Sequence, residues 1–342
     1  MPAPEQQISA VPFHPSLAAI GSRKTRGHAL LLCAVVVVMS LSGCGERKKM
    51  LSIGSGGTGG VYYPLGGGFA NLLSARLTGY QVTSEVTGGS VDNLKLIGSA
   101  RVDIGFAMAD AAWDAFNGRD KFEGGKLPVR TLAVLYRNRM HAVTVEGVGI
   151  ATMQDLEGKR VSVGSPGSAT EVMALRVLEA YGLQEAITRE RLSVAESVNA
   201  IKDRKIDAFF WAGGLPTAAV TDLAATPRTK LHLLDHAEAV HKMNAKYGPL
   251  YGASTISKDV YPGVTRDNLN ATVWNVLIVN RDMPDSLAYD IVKILFEHTR
   301  ELVTVHKEAA NIALQNQAGK LVPIPFHPGA ARYFREKGLA VE

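Results

Sequence analysis

Ile53-Gly54-Ser55-Gly56-Gly57-Thr58 is repeated in kind 110 positions later as Val163-Gly164-Ser165-Pro166-Gly167-Ser168, and this echo decides how the 342-residue chain reads. Each copy follows a short apolar, β-prone stretch (50–53 and 160–163) and precedes a helix-like run (61–77 and 169–181). A second echo follows: Arg101-Val102-Asp103-Ile104-Gly105-Phe106 is matched by Lys205-Ile206-Asp207-Ala208-Phe209-Phe210, displaced by 104. Two similar strand–loop–helix units imply two similar lobes. Each offers a loop of small polar residues at a helix start, where unpaired backbone N–H groups and a partial positive charge make a ready anion site. Two such starts facing each other make a clamp.

The first 49 residues set the compartment. Arg23, Lys24 and Arg26 precede an apolar run, 29–39, and then Leu41-Ser42-Gly43-Cys44. Charged, apolar and small-residue regions in that order read as a signal peptide. The run falls short of the roughly 20 residues that span a bilayer. Leu-Ser-Gly-Cys resembles the bacterial lipobox, so Cys44 is the expected lipidation site and new N-terminus. Residues 1–43 are then the signal and 44–49 a tether that holds the protein at a membrane surface in the periplasm. Loss of the signal leaves 299 residues, enough for two medium domains, and takes the net charge from +5 to about +3. The mature body has no disulfide and no basic run beyond Arg47-Lys48-Lys49, which argues against nucleic acid as a partner.

Beyond the tether, β-like runs (51–53, 81–85, 104–108, 132–136, 141–145, 160–163, 208–211, 230–233 and 273–279) alternate with helical patterns at 63–77, 91–99, 169–181, 286–300 and 302–313. Such alternation reads as α/β with mostly parallel sheets. The stretch 117–128 is a polar surface excursion. The run 131–145, broken by Arg137-Asn138-Arg139, links the repeats as a first crossing between lobes, and 273–279 is a candidate return. The expected division is lobe 1 over 50–136, lobe 2 over 137–275, and a return to lobe 1 with C-terminal helices over 276–342. Ligands of open α/β sheets bind beyond the carboxyl ends of the strands, where both Gly/Ser loops lie.

Gly54-x-Gly56-x-x-Gly59, between a strand and a helix, matches a dinucleotide fingerprint, with Glu85 ending the next strand. An exported dinucleotide-binding enzyme is therefore the alternative reading, weakened by the export signal. Thr58 and Ser168 occupy the same place in both loops, where a hydroxyl caps a helix or donates to a carboxylate. Ser90 and Asn93 sit in a third small-polar loop, 87–93; Asp110 follows the strand 104–108; Trp211 floors a cleft or packs in a core. No Gly-x-Ser-x-Gly elbow, His-Glu-x-x-His or mature cysteine pair is present, so neither an enzyme nor a resident cofactor is expected. His232, His236 and His241 read as solvated or capping rather than metal ligands, and Arg137 and Arg139 as solvated or as carboxylate partners.

Gly57-Thr58-Gly59-Gly60-Val61-Tyr62-Tyr63-Pro64-Leu65-Gly66 and Thr87-Gly88-Gly89-Ser90-Val91-Asp92-Asn93-Leu94 resemble the TAXI-type solute receptors of TRAP transporters. The stretch 156–168 and the tail His327-Pro328-Gly329-Ala330-Ala331-Arg332-Tyr333 are similar to the same family, over essentially the whole mature chain. Ala169 departs from it by standing where glycine usually precedes Thr-Glu, which narrows the second loop's approach to ligand. The resemblance implies a two-lobed periplasmic-binding-protein fold of type II character with a hinge of crossing strands. It implies a monomeric receptor that captures a small carboxylate (glutamate, glutamine or a dicarboxylate) by hinge closure and delivers it to a TRAP membrane permease. The expected ligand-binding residues are Thr58, Gly59, Tyr62, Ser90, Asn93, Asp110, Ser165, Gly167, Ser168 and Thr170, with no metal.

Overall fold

The computed structural model describes residues 48–318 and 321–341; the expected signal peptide, Cys44 and most of the tether lie outside them. Ile104–Met108 (β3) is buried at every position, the signature of a strand covered on both faces. It pairs in parallel with Lys49–Gly54 (β1), which pairs in parallel with Tyr80–Glu85 (β2). The second half repeats the arrangement: Arg160–Ser162 (β5) lies between Thr188–Glu190 (β6) and Ala208–Gly213 (β7), parallel to both.

Two long strands join these halves. Val129–Val145 (β4) and Asn268–Asn280 (β10) run antiparallel side by side. The far end of β10 pairs with β3, and that of β4 pairs with β7, giving the order β2-β1-β3-β10-β4-β7-β5-β6. Leu231–Leu233 (β8) adds to β4, and Tyr251–Ile256 (β9) adds to β10. The fold is therefore the two-lobed α/β type expected, but its sheet is not mostly parallel: the ladders inside each lobe are parallel, and those made by the crossing strands β4 and β10 are all antiparallel.

Helices cover both faces. Tyr62–Arg76 (α1) turns Leu65, Phe69, Leu72 and Leu73 inward and shares a core with Asp285–Glu297 and Pro328–Glu336. On the opposite face, Ser90–Gly98 (α2), Ala109–Asn117 (α3) and Ala169–Ala180 (α4) contribute to one apolar cluster that runs from lobe 1 into lobe 2. Val194–Lys202 (α5) and Ala218–Ala224 (α6) cover a third cluster with Phe209 at its centre.

Some expectations need correction. The crossing strand is not broken at Arg137-Asn138-Arg139: these residues pair with Trp274, Val273 and Thr272 of β10, and Arg139 also with Gly213 of β7. The late helical run divides into Thr299–Val305 and short 3-10 turns at Lys307–Asn311 and Leu314–Gln317. The surface excursion after Asn117 is pinned by the buried Phe122.

Candidate functional site

In each lobe parallel strands feed helices, and the N-termini of those helices lie at the carboxyl edge of the sheet. The two edges face each other. Between them lies a cavity of about 50 Å³, and the cap residues of five helices line it: Val61, Gly89 and Met108 from lobe 1, Ser168 and Ser193 from lobe 2. A cap residue precedes a first turn whose N–H groups have no intrahelical partner. The three lobe 1 helices have no side-chain cap, whereas Ser168 Oγ accepts from Glu171 N–H at 3.1 Å and Ser193 Oγ from Glu196 N–H at 3.3 Å.

Six of the expected residues line the cavity: Thr58, Tyr62, Ser90, Ser165, Ser168 and Thr170. The hydroxyls of five of these, all but Thr58, hold the walls in place. Ser90 Oγ accepts the Met108 N–H (3.0 Å), and Thr170 Oγ1 accepts the Ala212 N–H (3.3 Å). Ser168 O–H donates to the Ser165 carbonyl (2.7 Å). Tyr62 O–H donates to Asn275 Oδ1, and its ring stacks on Phe106 with centroids 5.2 Å apart. Burial raises the Tyr62 phenol well above its ordinary range, so it stays protonated and a donor.

The other four lie outside the lining. Asn93 is a brace: its Nδ2 donates to the carbonyls of Gly54 (3.0 Å), Ser55 (2.8 Å) and Phe106 (2.8 Å), tying the ends of β1 and β3 together. Asp110 is buried below the cavity, accepting from Tyr251 O–H (2.9 Å) and Ala111 N–H (2.8 Å), with Arg176 Nη1 at 3.9 Å. Burial raises the Asp110 carboxyl, and the Arg176 charge opposes that rise. Gly59 and Gly167 act at the rim. The Gly59 carbonyl accepts from Ala219 N–H (3.3 Å), and that of Gly167 accepts from Asp92 N–H (3.1 Å). Gly167 has φ +78°, and a Cβ there would lie 2.2 Å from Asp92 Oδ1, so glycine is required for this approach.

Both rim bonds join opposite lobes, as does Ser165 Oγ donating to the Gly88 carbonyl (3.3 Å). Trp211 of lobe 2 reaches Gly60 of lobe 1 so closely that a Cβ on Gly60 would lie 2.8 Å from the indole. The lobes are closed on each other in this structure. Trp211 is a wall of the cavity, held by its Nε1–H donating to Thr217 Oγ1 (2.8 Å), while Thr217 N–H donates to the Tyr261 hydroxyl (3.0 Å).

Sequence reasoning missed Asn138 as a cavity residue. It is 2% exposed and exchanges both amide bonds with Asn275 of the other crossing strand, at 2.9 and 2.7 Å. The available signal was the strand period of two: Arg137 and Arg139 share one face, and Asn138 the other. Accordingly Arg137 lies over the Trp274 ring, 4.3 Å from its centroid, and Arg139 Nη1 pairs with Glu308 Oε1 at 3.1 Å; neither lines the cavity.

Among the described residues, no charged side chain lines this cavity, and none of the His, Cys, Asp and Glu form a group placed to hold a metal. The Gly54-x-Gly56-x-x-Gly59 loop faces lobe 2 across a space sized for a few waters, which leaves a dinucleotide no room in this arrangement.

A putative L-cystine ABC transporter protein from Listeria monocytogenes matches at a TM-score of 0.48 and 15% identity, over 77% of this chain and 95% of that one. The periplasmic aliphatic sulphonate binding protein of Escherichia coli matches at 0.43 and 13%, over 84% and 83%. An ancestral arginine-binding protein bound to arginine matches at 0.47 and 14%, over 78% and 99%. These likenesses are loose, and the fold rests on the strand order above. The model of the NMT1-like family matches residues 53–338, through both lobes and both crossing strands, and the chain belongs to that family.

Proposed function

We propose that the protein is an extracytoplasmic receptor that captures a small carboxylate between its lobes by hinge closure and delivers it to a TRAP-type membrane permease. One observation carries the binding half: five helix N-termini from two lobes meet at one cavity without a side-chain cation in its lining. Oriented first-turn N–H groups and aligned dipoles serve an anion there. The lining hydroxyls cap helices or brace walls, and none has a neighbouring histidine or carboxylate to activate it among the described residues, which favours a receptor over an enzyme.

Delivery rests on the Leu41-Ser42-Gly43-Cys44 lipobox and on the TAXI resemblance. A lipid on Cys44 holds the receptor beside its permease. Among the described residues no helix is long and apolar enough to cross a membrane. The division into 50–136, 137–275 and 276–342 belongs to the same proposal, with the two crossings as the segments that bend. Calorimetric titration of the full chain with a panel of small carboxylates tests the reading. Saturable binding of at least one acid is expected, and silence across the panel overturns it.

A further inference from the structure

Among the described residues the cavity lining carries no side-chain charge, and at its rim the Asp92 carboxylate accepts the Gly88 N–H at 3.1 Å. Five helix N-termini converge on the cavity, and the C-terminal caps of those same helices, at Leu77, Ser99, Gly118, Tyr181 and Asp203, all lie elsewhere. Asp110, the nearby buried carboxylate, is committed to Tyr251, Ala111 and Arg176 and lies outside the lining. Four lining hydroxyl oxygens already accept backbone N–H groups: Ser90 from Met108, Thr170 from Ala212, Ser168 from Glu171 and Ser193 from Glu196. The remaining walls are Thr58, Tyr62, Asn138 and Ser165, glycine backbone, and apolar groups such as Val194 and Trp211.

An α-amino acid brings an ammonium with three donors and a full positive charge. In this cavity that charge would lose its water, meet no carboxylate in the lining, and face the positive ends of the helix dipoles. A carboxylate gains from the same features. Resting on the receptor reading above, we infer that the cavity selects short carboxylates with no ammonium group and excludes their amino-acid counterparts. The volume of about 50 Å³, a few waters' worth, keeps the acid compact.

Matched pairs that differ at the α-position test this: pyruvate against alanine, butyrate against 2-aminobutyrate, 4-methyl-2-oxopentanoate against leucine, and 2-oxoglutarate against glutamate. Calorimetry on the full chain is expected to give the amine-free acid at least about tenfold tighter binding in every pair that binds. An amino acid that matches or exceeds its partner overturns the inference and leaves the receptor reading standing. Silence in all pairs removes both. Ser193→Asp keeps a capping oxygen and adds a carboxylate to the lining. That variant is expected to narrow the preference, and an unchanged preference refutes its electrostatic cause.

Discussion

The Ala169 N–H is the first of its helix and has no intrahelical partner, whereas the Ser168 N–H one position earlier is spent on the Ser165 carbonyl at 3.2 Å. Proline is well tolerated at a first helical position, and Ser168 has the extended backbone (φ −91°, ψ 151°) that a following proline requires. Ala169→Pro therefore deletes one donor with the fold retained. Calorimetry should show binding weakened by roughly 10- to 100-fold, the worth of one hydrogen bond to a charged group, with Tm little changed. Ala169→Val adds bulk and keeps the donor; an equal loss there would show that size, not the N–H, is responsible.

Two buried histidines make stability depend on pH. Burial lowers the pKa of His141 and of His236 from 6.5 to about 4, so both are neutral in the folded protein. His141 Nε2 meets the Tyr261 hydroxyl at 2.9 Å, and His236 Nε2 has no partner among the described residues. The unfolded chain takes up these protons first. Stability is therefore full above pH 6.5 and falls as pH drops towards 4, by on the order of 3 kcal/mol per histidine at most. Denaturant melts across that window should show the decline, and a His141→Gln/His236→Gln variant should flatten it.

Legibility at this scale followed chemistry that repeats. Hydroxyls at matching loop positions, such as Thr58 and Ser168, were readable as cavity residues because both copies share one local geometry. Asn93 and Asp110 were not, because the same side chain either reaches into a cleft or turns into the core, and only tertiary contacts decide which.

Among elements, α3 and α4 meet through a buried cluster of charges. Arg176 of α4 is 3% exposed and pairs with Asp114 of α3 and, at 3.1 Å, with Asp120, while Nη1 donates to Tyr251 O–H at 2.7 Å. Its guanidinium also covers the Tyr247 ring at 4.2 Å. Burial raises the Asp110 and Asp114 carboxyls, and the Arg176 charge opposes that rise. Removing one partner of such a cluster strands buried charge, so Arg176→Met should cost about 3–5 kcal/mol in denaturant melts. Adding Asp114→Asn should recover part of it; no recovery would mean that the carboxylates do not depend on Arg176.

The same scale shows what pattern alone missed. A polar triplet in an apolar run reads as a break, yet β4 continues through Arg137-Asn138-Arg139 because neighbouring strands satisfy its backbone on both sides. β6, three residues, and β9, with alternating partial exposure, lie at sheet margins and carry little hydrophobic signal. The central strands were legible because burial on both faces forces a continuous apolar run.

For the whole molecule, the repeated loop made the two-lobed plan readable, and the return strand β10 closes it. The depth of the cavity was not readable, because it depends on how far the crossing strands let the lobes close. Closure brings backbone to backbone at Gly59 and Ala219 and at Gly167 and Asp92. A ligand favours that state only through contacts it makes there and not in the open form. The most direct measurement is a crystal structure of the protein with the tightest-binding acid of the panel. The account predicts carboxylate oxygens about 3 Å from first-turn N–H groups of helices in both lobes, with no lysine or arginine in contact. A solute that touches only one lobe, or whose carboxylate is held by a side-chain cation, contradicts it.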